Sequence, residues 1–403
     1  MNLNGVRVLL TQNDIYSING SAVIILELAQ FLINAGASVT VYTYFLENPL
    51  KDIFNKNGIL VTESEDTLSL DDFDYIWVHQ QVLPLSIINE LESIHMRRKV
   101  PIFIFNHMSP LDYIPDEFPY IWNLENNLSS LSLFHSSFTK ELQEDLLSKD
   151  ILKDLYPNPA PSSFARSSRS RSERIESILV VSNHPPKEII DLKSKFKDAD
   201  VELVLLGEAL DRYDLISAEL IGQYDLVISI GKTVQNCLVS GTPVYIYDHF
   251  GGPGYLNESN YDLAEHRNFS RGFDKKTTDV LYDDIVAGYN DACEFIEKRR
   301  EDFIYKFTID RAVDRVLRKA TKRAYAAIDM SYASYLKYAH NYSREHRIAA
   351  RQRMVYKQEL EAVRRELDAC KDELESVKNS KSYRLGNKIA EPLRKVKTLR
   401  GDA

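Results

Sequence analysis

Short apolar runs rich in β-branched residues alternate with longer amphipathic stretches in the first part of the chain. Five runs predict buried strands: VRVLL (6–10), ASVTVYTY (37–44), DYIWVHQ (74–80), PIFIFNH (101–107) and LSLFHSS (131–137). Between the first two, SAVIILELAQFLINAG (21–36) has the apolar spacing of a helix, and Gly36 is a common helix stop. This strand–helix–strand order predicts a parallel sheet with right-handed crossovers.

A second block repeats the pattern after a break. The prolines of YPNPAP (156–161) end regular structure, and the Ser- and Arg-rich stretch at 162–174 is interpreted as a linker or a solvated loop. Four further runs predict strands: SILVVSN (177–183), VELVLLGE (201–208), YDLVISIG (224–231) and PVYIYDH (243–249). KTVQNCLVSG (232–241) predicts a short helix between the last two.

The C-terminal part reads as long helices from about residue 303. An apolar residue recurs there at spacings of four and three, at Tyr356, Leu360, Val363, Leu367, Cys370, Leu374 and Val377. This seam predicts a short coiled coil through which residues 353–378 associate with another copy or another protein, or else an amphipathic helix docked on its own domain. Residues 378–403 carry eight basic and two acidic residues, a net charge of +6, with apolar residues between them. Such a tail favours an anionic membrane surface, although a merely soluble tail has the same composition.

These patterns predict an α/β protein with two Rossmann-like doubly wound domains, followed by a long C-terminal helix with a short coiled coil and a basic tail. The predicted boundaries are 1–161 and 175–302 for the two domains, with the linker at 162–174. A helical return segment at 303–342, the long helix at 343–379 and the amphipathic tail at 380–403 complete the chain.

Composition narrows the class of protein. The 403 residues are 44% hydrophobic and 27% charged, as in ordinary globular proteins, and the net charge of −9 argues against nucleic acid as a partner. Three dispersed cysteines, Cys237, Cys293 and Cys370, form no CxxC pair, which indicates reduced thiols and no zinc site. The opening residues lack the pattern of a signal peptide. We therefore expect a cytoplasmic protein whose membrane contact is peripheral.

The turn after the first predicted strand carries polar candidates. A dinucleotide-binding turn needs G-x-G-x-x-G, but QNDIYSINGSA (12–22) contains only Gly20, which argues against NAD or FAD as a cofactor. A single glycine before a helix still lets the backbone approach a ligand, and the helix N-terminus favours an anion. The candidates are Asp14, Asn19, Gly20 and Ser21.

The second block contains a similar turn with a basic residue. Gly231, Lys232 and Thr233 begin the predicted helix, and Leu226 occupies the position where a P-loop has its first glycine. Backbone amides, the helix dipole and the Lys232 ammonium together favour a diphosphate, although a plain helix start has the same residues. Gly251, Gly252 and Gly254 predict a flexible loop at the end of the last strand, where doubly wound sheets bind ligands.

The same stretch carries a family resemblance. GKTVQNCLVSGTPVYIYDHFGGPGYL (231–256) resembles the G-[KR]-T…G-x-P-V-Y-x-Y-D-H-F-G-G-x-G segment of bacterial GT-B-fold glycosyltransferases that build surface polysaccharides. Residues 19–43 resemble the acceptor-side opening of that fold, FNHMS (105–109) a segment with a histidine near the donor sugar, and 177–188 the start of the donor domain. The heptads and the following S-x-S-Y-R-L…P-L-R-K resemble the C-terminal ends of such enzymes.

The resemblance implies a function and a set of site residues. It implies transfer of a sugar from a nucleotide-diphosphate donor to a glycan or lipid-linked acceptor at the inner face of the cell membrane, with neither cofactor nor metal ion. His107 and Lys232 are the implied catalytic residues, and Asp14 or Asp112 would be the base in an inverting enzyme. The implied donor-binding residues are Asn183, His184, Gly231, Thr233, His249, Gly251, Gly252 and Gly254, and the acceptor-side loop comprises Asp14, Asn19, Gly20 and Ser21.

One departure from the family pattern keeps two alternatives open. Family-4-like members carry E-x7-E in the donor domain, but Ile228 and Asn236 stand at those positions here. The chain is therefore also consistent with a non-catalytic GT-B partner of an active enzyme. A nucleotide-sugar epimerase of the same fold would need more internal acids than this sequence offers.

Overall fold

The computed structural model describes residues 1–111, 118–166, 172–208, 210–325, 328, 331 and 333–400. The chain divides into two compact units, residues 1–344 and residues from 345 onward. The first unit contains two sheets, each covered by helices and each the centre of one lobe. The predicted α/β class with two doubly wound domains and a C-terminal helix is confirmed.

The sheet of the first lobe is parallel throughout its described strands. These are β1 (Arg7–Gln12), β2 (Ser38–Thr43), β3 (Leu60–Thr62), β4 (Tyr75–His79), β5 (Ile102–His107), β6 (Ser129–Phe134) and β7 (Lys153–Leu155). Their order is β3-β2-β1-β4-β5-β6-β7, and β1 lies centrally, with Val8 opposite Val39 on one side and Tyr75 on the other. Apolar side chains cover both faces, which is why the strands read as nearly continuous apolar runs.

Helices flank this sheet, and the first of them starts at a defined cap. They are α1 (Gly20–Asn34), α2 (Leu50–Lys56), α3 (Leu85–Glu90), α4 (Trp122–Leu128) and α5 (Ser137–Gln143), with 3₁₀ turns at Leu70–Asp72, Leu91–Met96 and Glu144–Leu146. The Oδ1 atom of Asn19 accepts a hydrogen bond from the Ala22 amide at 3.0 Å. The helix ends before Gly36, whose φ of +99° suits glycine. Both predicted ends of α1 are confirmed.

The second lobe has a sheet that is parallel apart from one edge strand. Its described strands are β8 (Ser177–Val181), β9 (Glu202–Leu206), β10 (Leu226–Ser229), β11 (Val244–Asp248) and β12 (Gly251–Tyr255). Their order is β12-β11-β10-β8-β9, and β12 is antiparallel to β11. The helices are α6 (Ser162–Ala165), α7 (Lys187–Asp198), α8 (Ala218–Ile221), α9 (Lys232–Ser240), α10 (Tyr261–His266) and α11 (Thr278–Phe307).

The prediction of a flexible glycine loop after β11 is wrong. Gly251, Gly252 and Gly254 belong to β12, in which Gly251 lies opposite Asp248 of β11 and Gly254 lies opposite Ile246. A Cβ atom on Gly252 would lie 1.9 Å from the carbonyl oxygen of Ile246, and one on Gly251 would lie 2.4 Å from that of Phe273. The glycines therefore allow close backbone packing at the sheet edge, a requirement that looks like loop flexibility in sequence.

The chain passes between the lobes twice. Residues Ala160 and Thr308 form a short parallel bridge where the two passages meet. The start of the predicted linker is folded, because Phe164 of α6 is buried in the core of the second lobe, whereas residues 167–171 lie outside the described residues. After the second passage, α12 (Ile309–Lys319) packs Val313 and Val316 into the core of the first lobe.

Two long helices complete the described chain. Helix α13 (Ala333–Asn379) starts in the first unit and runs into the second, and α14 (Lys381–Arg400) follows it. In the described part of the chain, none of the helices has the length and apolar character needed to span a bilayer.

Candidate functional site

A cavity of about 420 Å³ lies between the two lobes, at the carboxyl ends of both central sets of strands. The first lobe contributes the turn after β1 and the residues after β4 and β5, including Gln80 and Ser109. The second lobe contributes the residues that follow β8, β9, β10 and β11. Doubly wound sheets bind their ligands at this edge, which makes this cavity the candidate site.

Two helices from different lobes begin at this cavity. Asn19, Gly20 and Ser21 line it at the start of α1, and Gly231, Lys232 and Thr233 line it at the start of α9. Asn19 caps α1, but no side chain caps α9, where Gly231 takes a backbone conformation of φ +59° and ψ −129°. The first-turn amides of α9 therefore have no capping side chain, and the two helix dipoles place partial positive charge at one cavity.

Lys232 is held by groups from both lobes. Its Nζ donates to the carbonyl oxygen of Pro159 at 2.7 Å and to Oδ1 of Asn236 at 3.0 Å, and it forms an ion pair with Glu27 of α1 at 2.8 Å. Two of these contacts are hydrogen bonds, and the third is a charge contact with the Glu27 carboxylate. Burial lowers the pKa of Lys232 and raises the pKa of Glu27, each against the attraction of the other charge. In this arrangement Lys232 joins the lobes, and its predicted binding of a diphosphate stays a prediction.

Polar contacts across the cleft join the turn before α1 to the second lobe. The Nδ2 atom of Asn183 donates to the carbonyl oxygen of Ile18 at 3.0 Å. The amide of Ile18 donates to the Tyr213 hydroxyl at 2.7 Å. All three residues line the cavity. Tyr213 lies in a loop with no sequence signal of its own, so its contribution was missed.

A carboxylate lies at the end of β11. Asp248 lines the cavity, accepts from Oγ of Ser182 at 3.2 Å and accepts from the amide of His249 at 2.6 Å. Sequence reasoning selected the neighbouring histidine and missed the acid, although a strand-end aspartate in PVYIYDH was a usable signal. The cavity thus has a fixed hydrogen-bond acceptor even though both glutamates of the family motif are missing.

Aromatic side chains and a guanidinium group cluster beside the carboxylate. The rings of His249 and Phe250 lie 3.8 Å apart, and Arg271 lies 4.2 Å from the Phe250 ring centre. His184 contacts His249 edge-on at 6.4 Å. Of the four, Phe250 lines the cavity, while the predicted donor residues His184 and His249 are not among the described lining residues. The glycines of β12 likewise pack the sheet edge, and a donor-binding role for all five stays a prediction.

His107 is fixed by buried partners at the end of β5. Its Nε2 lies 2.9 Å from Oε1 of Glu125, and its Nδ1 lies 2.9 Å from Oε1 of Gln143. Its ring stacks on Phe134 at 4.6 Å. Met108 and Ser109 line the cavity, and His107 is not among the described lining residues. Both ring nitrogens are thus engaged by the first lobe, and a catalytic role would require one of them to exchange its partner.

Three buried polar side chains lie side by side at the carboxyl edge of the first sheet. Gln12, His79 and Asn106 end or nearly end β1, β4 and β5, and each is inaccessible to solvent. The described residues provide no hydrogen-bond partner for their side-chain nitrogen and oxygen atoms. Burial lowers the pKa of His79 to about 3, so its ring is neutral at neutral pH. No sequence pattern marked this set.

The two candidate bases have different outcomes. Asp14 follows β1 and is buried, and it is not among the described residues that line the cavity. Asp112 lies outside the described residues. The structure thus brings together Asn19, Gly20 and Ser21 with Asn183, Gly231, Lys232 and Thr233, and the other predicted site residues that it describes are not among the lining residues.

Two facing Rossmann-like lobes with a cleft at their strand ends define the GT-B fold. Among solved structures, the chain is similar to HepE of Anabaena in complex with UDP and glucose, with a TM-score of 0.51 and 12% identity over 78% of this chain and 98% of that chain. It is similar to a Rickettsia africae glycosyltransferase, with a TM-score of 0.51 and 12% identity over 78% and 97%. An α-glucosyltransferase in complex with UDP and a 13-mer DNA has a TM-score of 0.50 and 12% identity over 78% and 99%. No family model and no curated protein matches the sequence.

Proposed function

We propose that this chain is a glycosyltransferase that transfers a sugar from a nucleoside-diphosphate donor to a glycan or lipid-linked acceptor in cell-surface polysaccharide synthesis. The observation that carries the proposal is the meeting of two helix N-termini, from α1 and α9, at one cavity between GT-B lobes. A sugar nucleotide has its two negative charges in the diphosphate, which is the chemistry that two converging positive dipole ends favour.

The two helix N-termini also suit the negative charge that develops on the diphosphate during sugar transfer. Cleavage of the bond between the sugar and the diphosphate leaves extra negative charge on the leaving group. Fixed amides at the start of α9 stabilise that charge without reorganising, so this mechanism requires no metal ion. Asp248 lines the same cavity. We infer that it accepts a hydrogen bond from a sugar hydroxyl, the role that the resemblance assigns to the missing glutamates. One fold neighbour, HepE, was crystallised with UDP, with UDP and glucose, and with UDP-glucose, which supports a nucleotide-sugar donor.

The contacts of Lys232 favour one competing function. Because its ammonium group already contacts Glu27, Pro159 and Asn236, this chain is also consistent with a non-catalytic GT-B protein that supports an active partner. Purified chain incubated with UDP-, GDP- and dTDP-sugars and bacterial membranes separates the two functions. Transfer of labelled sugar supports the enzyme, and nucleotide binding without transfer supports the non-catalytic protein.

A negative charge placed at the start of α1 is expected to weaken donor binding. Ser21 lies in the first turn of α1 and lines the cavity. In Ser21→Asp the carboxylate is compatible with a helix N-terminus, so the fold is retained, but it repels a diphosphate. We expect the Kd for the preferred nucleoside diphosphate to rise at least about tenfold, or about 1.4 kcal/mol, in isothermal titration.

The matched control is Ser21→Asn, which has the size of aspartate without its charge. It is expected to bind within about threefold of the unaltered chain, a change below about 0.7 kcal/mol. Equal affinities for all three chains would place the diphosphate away from α1. An unaltered chain that binds none of UDP, GDP and dTDP would overturn the proposed function itself.

We further propose that the tail holds the enzyme at the inner face of the cell membrane, beside a lipid-linked acceptor. Residues 378–403 carry a net charge of +6, and the described side chains of α14 expose Tyr383, Leu385 and Ile389 among the basic residues. Basic residues gain about 1 kcal/mol each near an anionic bilayer, and exposed apolar side chains enter the headgroup region.

Neutralising part of this tail is expected to release the protein from vesicles. In Lys381→Gln/Arg384→Gln/Lys388→Gln, the loss of about 3 kcal/mol lowers the partition coefficient on phosphatidylserine-containing vesicles about 100-fold in a sedimentation assay. The same replacement at the exposed lysines Lys51, Lys56 and Lys197 is the control and leaves binding unchanged. Equal binding to neutral phosphatidylcholine vesicles would contradict the proposed role of charge.

A further inference from the structure

The part of α13 in the second unit exposes a continuous apolar seam. Tyr356, Leu360, Val363, Leu367, Leu374 and Val377 are each 50–67% exposed, and Cys370 lies in the same row. Their alternating spacing of four and three places all seven on one face of the helix. In heptad notation, the leucines at 360, 367 and 374 occupy a positions, and the residues at 356, 363, 370 and 377 occupy d positions. An exposed apolar seam of this kind is stabilised when another helix packs against it and removes it from water.

The charges beside the seam are sorted by sign. The g positions, which precede each a position, are all acidic: Glu359, Glu366 and Glu373. The e positions, which follow each d position, are all basic: Lys357, Arg364, Lys371 and Lys378. All seven side chains are exposed. The seam therefore has one negative border and one positive border along its whole length.

This sorting selects both the partner and its direction. In a parallel coiled coil, a g residue faces the e residue of the next heptad on the other helix. With a second copy in register, Glu359 faces Arg364, Glu366 faces Lys371 and Glu373 faces Lys378, and symmetry repeats each pair. In an antiparallel pair, g faces g and e faces e, so every border contact would join like charges. The chain thus complements itself when the two copies are parallel.

We propose that residues 353–378 form a parallel, in-register coiled coil with a second copy of this chain. This inference rests on the seam and its charged borders, and it holds whether or not the cleft transfers sugars. The basic tails of both copies then emerge from the same end of the coiled coil. Two tails on one assembly bind an anionic bilayer more tightly than one, because the second attaches at a high effective concentration.

Charge exchange across the borders tests the proposal in the full chain. The unaltered chain is expected to elute in light-scattering chromatography with twice the 46.4 kDa mass of one copy. Glu359→Lys/Glu366→Lys/Glu373→Lys makes both borders basic and is expected to return the mass to one copy. Mixing it with Lys357→Glu/Arg364→Glu/Lys371→Glu/Lys378→Glu is expected to restore the double mass, which excludes misfolding as the cause.

The control reverses acids on a different face of the same helix. Glu361→Lys/Asp368→Lys/Glu375→Lys alters three acids at the same seven-residue spacing, at b positions away from the seam. This variant is expected to keep the double mass. A single-copy mass for the unaltered chain at tens of micromolar, or equal dissociation by the g-position and b-position variants, would overturn the proposal.

Cys370 reports the direction of the two helices. In the parallel arrangement the two Cys370 side chains occupy the same d layer and face each other across the seam. Diamide, reduced to its hydrazine, takes the two thiol hydrogens while an Sγ–Sγ bond forms between copies. Cys237 and Cys293 are buried, so the expected product is a dithiothreitol-sensitive double-mass band that Cys370→Ser abolishes. A double-mass protein that diamide does not cross-link would indicate antiparallel pairing and contradict the proposal.

Discussion

Replacing Lys232 by methionine is expected to lower the free energy of unfolding by about 3–5 kcal/mol, the usual cost of removing one member of a buried ion pair. The side chains of Lys232 and Glu27 are 8% and 12% exposed, and their charged atoms lie 2.8 Å apart. Without the ammonium, the Glu27 carboxylate is left with no opposing charge, and the Pro159 carbonyl and Asn236 lose a donor. Urea unfolding at pH 7.5 measures the difference.

A double-mutant cycle isolates the pair from the general effect of shortening a side chain. Glu27→Gln/Lys232→Met removes both charges while keeping similar volumes, and it is expected to regain at least half of the stability lost in Lys232→Met. If the stability lost in the double variant equals the sum of the losses in Glu27→Gln and Lys232→Met, the ion pair does not couple the lobes.

The same variants show whether Lys232 binds the diphosphate or only joins the two lobes. If Lys232 binds the diphosphate, Glu27→Gln frees the ammonium from its carboxylate partner and tightens nucleotide binding, while Lys232→Met abolishes it. If Lys232 only joins the lobes, both variants lose stability and nucleotide affinity measured below their unfolding transitions changes little. The two outcomes differ in the sign of the effect of Glu27→Gln, so one titration distinguishes them.

The stability of the first lobe is expected to fall by about 4 kcal/mol between pH 7.5 and pH 5, through two buried histidines. Burial lowers the pKa of His79 to about 3 and the pKa of His135 to about 4, from an ordinary value of 6.5. At pH 5 the unfolded chain binds a proton at each ring, but the folded chain does not. Acid therefore favours unfolding from about pH 6.5 downward, until the folded rings titrate at about pH 3–4.

Single replacements measure how much of this pH-dependent loss of stability each buried histidine causes. His79→Phe keeps an aromatic ring stacked on Trp77 and removes the titration, so it is expected to halve the loss of stability between pH 7.5 and pH 5 in urea unfolding. The exposed His95 is the control, because it contacts water in both states. If His79→Phe and the unaltered chain lose the same stability over this range, the buried ring is not the cause.

Local patterns predicted most of the architecture. The apolar runs located β1, β2, β4, β5, β6, β8, β9, β10 and β11, and the Gly36 signal located the end of α1. Each of these features depends on residues within one helix turn or one strand, where periodicity is visible. The short strands β3 and β7 carry too few residues for a periodic signal, and β12 contains three glycines and a proline, which disguise it.

The candidate site was predicted in part, for the same reason. Glycines before helices identified the two helix starts that line the cavity, because a turn between strand and helix has local requirements. Asp248, Phe250 and Tyr213 were missed, since their place at the cavity depends on how two lobes meet. His107 was selected by its position at a strand end, but its partners Glu125 and Gln143 come from other elements.

By itself the sequence determined the order of the longer strands and helices, the two helix starts and the sorted charges beside the α13 seam. These depend on residues near each other along the chain, whose spacing sets which face they share. Only the tertiary structure decided that Lys232 forms an ion pair with Glu27, that Gly252 packs against the Ile246 carbonyl and that the His79 side chain is buried. The physical reason is that burial and long-range pairing follow from the packing of whole elements, and a buried charge takes whichever partner that packing brings within reach.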